Sequence, residues 1–347
     1  MTYDYLIIGQ GIAGTTLALQ LMERGKRVFV LNKESMNSSS MIAAGIVNPV
    51  TGRRFVKSWM FDEVFSFAEN FYKNWEDAFD KKIFKPTFIN RAIFSHEEHH
   101  DFLAKTELSA YANYLSEDSN FELKEDFNKA VAWIKIKAAR IKIKAYIERS
   151  RSYFLEQGSY RNEIFNHTAL KREKEIWHYK DLQARSVVFC EGFQIKSNPF
   201  FNALPFVPAK GEILIAHIPH LTADRIYKHQ CFIVPFGFNH TFWIGSTYQW
   251  DFKNEDASSE KKEELIQKLK QSINLDFTIT DHLAAIRPTG KDRRPYIGRH
   301  QDEKNIFIFN ALGTKGASLA PYWASHLIDH MEDGQELDKE VDVIRFF

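Results

Sequence analysis

The 347-residue chain is poor in cysteine: it has two, Cys190 and Cys231. That is too few for a disulfide framework, and the two stand too far apart for a metal knuckle, so the count fits a reducing compartment. Long apolar runs are missing as well, and none approaches the length needed to cross a membrane. The first, Tyr5–Ile8, is too short for a signal peptide and leads straight into a glycine motif. A cytoplasmic location without membrane contact is therefore expected. Excess charge of either sign is also absent. Lys and Arg total 46 against 45 Asp and Glu, a formal net charge of +1, so no global field draws the chain toward nucleic acid or an anionic membrane. The self-similarity of repeat proteins is not found. His99 and His100 follow Glu97 and Glu98, but adjacent residues point apart on any regular element. This cluster reads as a surface loop, and no metal site is expected.

What is present is ordinary for a globular protein: 44% hydrophobic and 26% charged residues, in a chain long enough for one large domain or two average ones. Aromatic residues are plentiful, with Phe 30, Tyr 13 and Trp 7. They suit a large core and a pocket for a flat ligand.

Tyr3–Asn32 reads YDYLIIGQGIAGTTLALQLMERGKRVFVLN. Tyr5–Ile8 predicts a buried strand and Thr15–Arg24 an apolar-faced helix, closed by Gly25 as its C′ residue. Val28–Leu31 predicts a second buried strand. Between the first strand and the helix, Gly9, Gly11 and Gly14 form G-x-G-x-x-G, with Ile12 and Ala13 between the last two. In such a unit the first glycine makes a tight turn, the second admits a pyrophosphate, and the third lets helix and sheet pack closely. The helix N-terminus supplies free N–H groups and the positive end of its dipole. A dinucleotide is the expected ligand. The second strand ends on Asn32 where such units usually carry Asp or Glu for a ribose hydroxyl. Asn can still hydrogen-bond there, without charge assistance. Lys33 leaves a cofactor with a 2′-phosphate as an alternative.

The glycine motif alone does not separate FAD from NAD. Ser38–Pro49, SSSMIAAGIVNP, is a run of small and hydroxyl residues that a flavin enzyme needs beside the ribityl chain and ring; an ordinary flexible loop is the alternative. Ser186–Gly192 predicts a buried strand ending in glycine. Ile306–Phe309 predicts another, followed by the turn Gly313-Thr314-Lys315-Gly316 and a helix from about Ala317. A helix N-terminus at that place would stabilise negative charge developing on a reduced flavin ring.

In order and spacing, IIGQGIAGTTLALQL, SSSMIAAGI, EIFNHTAL, SVVFCEGF, PAKGEIL, CFIVPFGFNHTFWIGSTYQ, RPTGKDRRPYIGRH, NALGTKGASLAP and VIRFF resemble the D-amino-acid oxidase superfamily of FAD-dependent oxidoreductases. The similarity is greatest to its glycine oxidase and sarcosine oxidase branch, and the chain is also similar to the oxidase domain of the tRNA-modifying MnmC proteins. The resemblance implies an α/β, two-domain fold: a Rossmann-like FAD-binding domain from residues 1–60, 140–200 and 280–347, and a mostly antiparallel substrate domain from 61–139 and 201–279. Leu214–His217, Cys231–Pro235 and Phe242–Thr247 are candidate strands of the latter, and Val64–Trp75 a helix between the two.

The resemblance also assigns residues. Gly9, Gly11 and Gly14 match the pyrophosphate turn and Asn32 the ribose position. Ser39, Ser40, Ala43, Ala44, Gly45 and Ile46 match the loop beside the flavin. Leu170 matches a backbone contact to adenine, Gly192 closes the third strand, and Gly313, Thr314, Lys315, Gly316 and Ala317 match the turn under the ring. Arg287 matches the arginine that binds the substrate carboxylate through two parallel hydrogen bonds. Read from its neighbours alone, Arg287-Pro288 would equally suit a surface or N-capping arginine at the end of a helical stretch. Thr314 stands where glycine oxidases have an arginine, which leaves the substrate open. Lys315 would put a positive charge near flavin or substrate, or be a solvated lysine. Tyr248 would be a pocket hydroxyl, or packing. Covalently flavinylated relatives use a cysteine in the C-terminal third, which this chain lacks, so FAD is expected to bind non-covalently.

The implied reaction is oxidation of the C–N bond of a small amino acid or N-substituted glycine, with the imine hydrolysed in water and electrons passed to oxygen as peroxide. Alternatives are an oxidase for a modified nucleoside or tRNA, a flavin-binding protein with little turnover, and an NAD(P) dehydrogenase. A small amine or amino acid is the expected partner, without nucleic acid. The locally basic run Trp133–Arg151 raises RNA contact, but its alternating Lys and Ile read as a half-exposed strand followed by a helix from Tyr146 to Leu155. Lys261–Lys270 reads as a charged amphipathic helix.

Overall fold

A computed structural model describes residues 1–347. The opening unit consists of strand β1 (Thr2–Ile8), helix α1 (Ile12–Glu23) and strand β2 (Val28–Asn32). β1 is buried from Tyr5 to Ile8 because it is central: it pairs in parallel with β2 on one side and with Leu182–Phe189 on the other. Strands covered on both faces read as continuous apolar runs. Tyr160–Asn162 continues the parallel set beyond β2, and Ile306–Asn310 continues it beyond Leu182–Phe189. Three further strands complete this eight-stranded sheet.

The second sheet has nine strands. Its pairings are antiparallel except Ile226–Lys228 beside Phe84–Ile93. The expected strands lie here as Ala209–His217, Phe232–Pro235 and Thr241–Gly245. The basic run becomes the strand Ala132–Ile141, in which alternate residues are buried, followed by the helix Ile143–Glu156. Strand pairing crosses the expected domain boundaries: Ile46–Val47 and Thr278–Arg287 both join this second sheet. We propose it as the body of the substrate domain, with Thr278–Arg287 included.

Two expectations need correction. Arg287 ends a strand, Thr278–Arg287, and not a helical stretch; its partner strand Ala209–His217 supplies the backbone hydrogen bonds that decide the matter. His99 and His100 lie in the helix His96–Thr106, not in a loop. Ser95 caps it by accepting from Glu98 N–H, and the Glu98 carboxylate reaches back to Phe94 N–H, a variant of the capping box.

Two helices pack on α1 or its neighbours and shape the site. The helix Phe61–Ala78 buries Phe61, Val64, Ala68, Phe71, Tyr72 and Trp75 along one face. The C-terminal helix, Gly316–Asp333, packs against both α1 and this helix. Pro321 lies within it and has no N–H, so the carbonyl of Ala317 loses its usual donor four residues on. The hydroxyl of Tyr72, buried between the helices, donates to that carbonyl at 2.9 Å. The side chain of Gln20 from α1 donates to the Pro321 carbonyl at 2.8 Å. These bonds fix where the C-terminal helix begins, and hence where the turn before it stands. Gly334, with φ of 70°, ends the helix as a left-handed cap.

Candidate active site

The turn between β1 and α1 is built against Cys190, at the end of the neighbouring strand. Gly9 has φ of +101°, and a Cβ there would lie 2.4 Å from the Cys190 carbonyl oxygen. A Cβ on Gly14 would lie 1.9 Å from the Gly9 oxygen, so helix and turn meet at backbone distance. Gly11 caps α1 without any side-chain acceptor. The hydroxyl of Ser40 accepts from Ile12 N–H at 3.1 Å, and Thr15 N–H is the first to bond back, to Gly11. The N–H groups of Ala13 and Gly14 thus have no acceptor in the chain, and Ala13 lines the cleft, which suits an anion held by backbone.

Asn32 ends β2 beside this turn, and its carbonyl oxygen accepts from Gln10 N–H at 2.9 Å. Its amide nitrogen, as a donor, and the second lone pair of the oxygen are left to meet a ribose hydroxyl. Gln10 is itself held: its amide donates to the Ile147 carbonyl and its oxygen accepts from Arg151 Nε, each at 2.9 Å. Arg151 in turn pairs with Glu34 at 2.8 Å. Neither Gln10 nor Arg151 carries a sequence signal of its own, because the contact joins residues 141 apart. Lys33 is exposed and lines the same cleft.

The serine-rich segment forms a short helix, Ser39–Ile42, capped by Ser38. Beyond it, Gly45 has φ of +73° and a Cβ would sit 1.8 Å from the Ile141 oxygen, so no other residue fits. The Gly45 carbonyl accepts from Ile141 N–H and the Ala44 carbonyl from Arg140 Nε. Ile42's carbonyl accepts from the indole of Trp243 at 2.8 Å. The loop is thereby pinned to the second sheet.

A cleft of about 920 Å³ runs between the sheets. It brings together Gly9, Gly11, Ile12, Ala13, Asn32, Lys33, Ser39, Ser40, Ala43, Ala44, Gly45, Ile46, Gly192, Gly313, Thr314, Lys315, Gly316, Ala317 and Arg287. Three anticipated residues do not line it. Gly14 lies behind the turn, as its packing requires. Leu170 begins a strand paired with Tyr179 and is buried in the core, and Ile164, Phe165 and His167 face the cleft instead. Tyr248 is 43% exposed and its ring faces the guanidinium of Arg287, 5.0 Å away.

Arg287 stands at the end of the cleft formed by Ile213, Phe232, Trp243, Ser246 and Ala285. Its Nη2 donates to Ser246 Oγ at 2.7 Å and to the Thr247 carbonyl at 3.3 Å. Its Nη1 is buried and has no partner. Burial pushes the guanidinium below its ordinary pKa, and an arginine side chain keeps its charge at neutral pH. Lys315, at the turn before the C-terminal helix, also has its pKa lowered, by burial first and then by the charges of Arg294 and Arg293.

The arrangement fits FAD. A glycine turn with free helix N–H groups suits the pyrophosphate, Asn32 a ribose hydroxyl, and a second helix N-terminus, Gly316, abuts the first: a Cβ on Gly316 would be 3.0 Å from Ile12 Cγ2. Comparison with known proteins gives the same cofactor. The chain is 25% identical to the bifunctional protein MnmC of tRNA 5-methylaminomethyl-2-thiouridine biosynthesis from Idiomarina loihiensis, over 92% of this chain but 54% of that one, so it spans about half of that relative's length. It is 25% identical to glycine oxidase from Bacillus licheniformis, over 94% of this chain and 92% of the relative. In fold it matches glycine oxidase from Bacillus cereus ATCC 14579 with a TM-score of 0.80, at 18% identity over 96% of each chain. Iminodiacetate oxidase from Chelativorans sp. BNC1 matches with a TM-score of 0.78, at 17% identity, covering 99% of this chain and 98% of that one. The family described as DAO, FAD dependent oxidoreductase, matches residues 4–330, and the chain belongs to it.

Proposed function

We propose that this enzyme oxidises the C–N bond of a small amino acid or N-substituted glycine, with Arg287 holding the substrate carboxylate. The observation that carries the reading is the unpartnered Nη1 of Arg287 in the cleft wall. One edge of the guanidinium is fixed by Ser246 and Thr247, and the other is left with a buried donor. An unmade buried hydrogen bond costs about 1–3 kcal/mol, which a carboxylate would relieve while completing a two-point grip. When bound, FAD supplies the acceptor for the hydride that leaves the amine-bearing carbon. The chain's own residues position and desolvate. Arg287 fixes the carboxylate, and the apolar walls from Ile213, Phe232, Trp243 and Ala285 keep water from the reacting carbon. The imine product is hydrolysed in water, and oxygen is the acceptor expected to become peroxide.

The glycine oxidase relative supports this substrate class. A modified tRNA base is the second reading, favoured by the 25% identity to MnmC. Peroxide production with a panel of amino acids, N-substituted glycines and bulk tRNA separates the readings. Peroxide with the small amines and a large rise in KM for Arg287→Met support the first. Peroxide with tRNA alone would move the assignment to the second, and none with any of them would leave a flavoprotein of little turnover.

A further inference from the structure

Arg287 reaches its place by crossing a neighbour strand, and three consecutive residues receive it on the far side. It leaves the strand Thr278–Arg287, which pairs with Ala209–His217, and passes over Gly211. The segment from Thr247 to Gln249 runs along the other side of Gly211. Lys210 and Gln249 exchange backbone hydrogen bonds at 2.8 and 3.0 Å, and Thr247 N–H donates to the Glu212 carbonyl at 3.0 Å. Ser246 offers the guanidinium a hydroxyl and Thr247 a carbonyl, both to Nη2. Tyr248 offers neither. Its ring faces the guanidinium, with Cζ of Arg287 5.0 Å from the ring centroid. Tyr248 does not line the cleft and is 43% exposed, so its hydroxyl is not presented to a ligand there. Trp250 packs on the same ring, 4.6 Å between centroids at 60°. Gln249, between the two aromatics, is the residue paired with Lys210.

Both hydrogen bonds fall on one nitrogen, so they hold an edge of the guanidinium and leave its plane free to pivot about that edge. Pivoting would carry Nη1, buried and without a partner, away from the position in which it can complete a two-point grip. An aromatic ring against the guanidinium removes this freedom and attracts the cation as well. No carboxylate does so instead: Glu212, beside Gly211, is committed to Ser258, Lys210 and His282. We infer that Tyr248 is a positioning residue: its ring, and not its hydroxyl, keeps the Arg287 guanidinium in the plane in which Nη1 meets the substrate carboxylate. This rests on the proposed function above and adds to it a side chain that acts through Arg287 alone.

The test uses the FAD-loaded protein and two readouts. Calorimetry gives Kd for acetate and for acetamide, which match in shape, differ in charge and carry no oxidisable amine. Anaerobic flavin reduction gives the apparent Kd and the limiting rate for an amino acid. The parent protein should prefer acetate to acetamide by about tenfold. Tyr248→Leu and Tyr248→Gln should each cut that preference about fivefold. They should raise the apparent Kd of the amino acid by the same factor, with the limiting rate less affected. Tyr248→Phe keeps the ring and should stay within about twofold of the parent on both readouts. The acetate-to-acetamide ratio cancels any loss common to both ligands, so a merely structural defect does not move it. A ratio unchanged in Tyr248→Leu and Tyr248→Gln overturns the inference and leaves the proposed function standing. A Tyr248→Phe protein as impaired as Tyr248→Leu also overturns it, assigning the contact to the hydroxyl. A parent protein indifferent between acetate and acetamide, whose flavin no amine reduces, removes the proposed function and the inference together.

Discussion

The guanidinium of Arg287 lies over the bare backbone of Gly211: a Cβ added there would come 2.0 Å from Nη2 and 2.4 Å from Cζ. The strands carrying the two are paired, Ala209 with Arg287 and Gly211 with Ala285. The arginine therefore folds back across its neighbour strand, and only glycine leaves room. Gly211→Ala should displace the guanidinium with little effect on flavin content. KM for a carboxylate substrate should rise about tenfold or more, on the scale of one charge-assisted hydrogen bond, with kcat less affected. Unchanged KM would show that the position of Arg287 is not set by this contact.

Glu212, fully buried, holds the loop that grips Arg287. Its carboxylate accepts from Ser258 N–H and Oγ at 2.9 and 3.0 Å and lies 3.3 Å from Lys210 Nζ and 2.9 Å from His282 Nε2. Its backbone exchanges hydrogen bonds with Thr247. Removing the carboxylate strands the buried Lys210. Glu212→Ala should cost about 3 kcal/mol of stability, seen as a lowered denaturation midpoint. Glu212→Gln should retain more stability yet raise KM, because the segment Ser246–Ser258 loosens. A Glu212→Ala protein as stable as the parent would contradict this role.

The ribose contact can be strengthened. The Asn32 carbonyl oxygen already accepts from Gln10 N–H, which leaves one neutral lone pair as acceptor for a ribose hydroxyl. Asn32→Asp keeps an acceptor for Gln10 and adds a charged one for a ribose hydroxyl. FAD should bind about fivefold more tightly, roughly 1 kcal/mol, measured by titrating the apoprotein. Weaker binding would mean that the nearby Glu34 carboxylate, despite Arg151, opposes the new charge.

Lys315 gives a pH dependence with a definite sign. Its pKa in the folded protein is lowered below the ordinary 10.5. Between the folded and unfolded values the unfolded chain holds more protons, so without ligand its contribution makes stability rise with pH through that window. The denaturation midpoint of the parent protein should therefore gain with pH, below 10.5, relative to that of Lys315→Met. The same pH slope in both proteins would exclude Lys315 as its source.

The sequence makes the β1–α1–β2 unit legible because every level agrees there: apolar runs, three glycines at fixed spacing, and Gly25 as a stop. Arg287 is found by resemblance, but its strand is not, since the run Leu283–Ile286 has no period that separates strand from helix. The helix at His96 carries a readable signal, Ser95 with Glu98 three residues later, which the adjacent charges obscure. Gln10, Arg151 and Gly211 are hidden for a different reason. Their roles come from partners far away in the chain, and a residue's contacts across that distance leave no local pattern. Leu170 shows a further case: the motif match concerns its backbone, and the burial of its side chain in the core leaves that match untouched.

The most direct measurement is the visible absorption of the FAD-loaded protein during anaerobic addition of amino acids and N-substituted glycines, repeated with Arg287→Met. Flavin bands should bleach with at least one carboxylate-bearing amine, and the variant should keep its flavin but need a far higher concentration of that amine to bleach. Bands that persist in the parent protein with every small amine, or a variant that bleaches at the same concentration as the parent, would rule out Arg287 as the carboxylate holder of an amine oxidase.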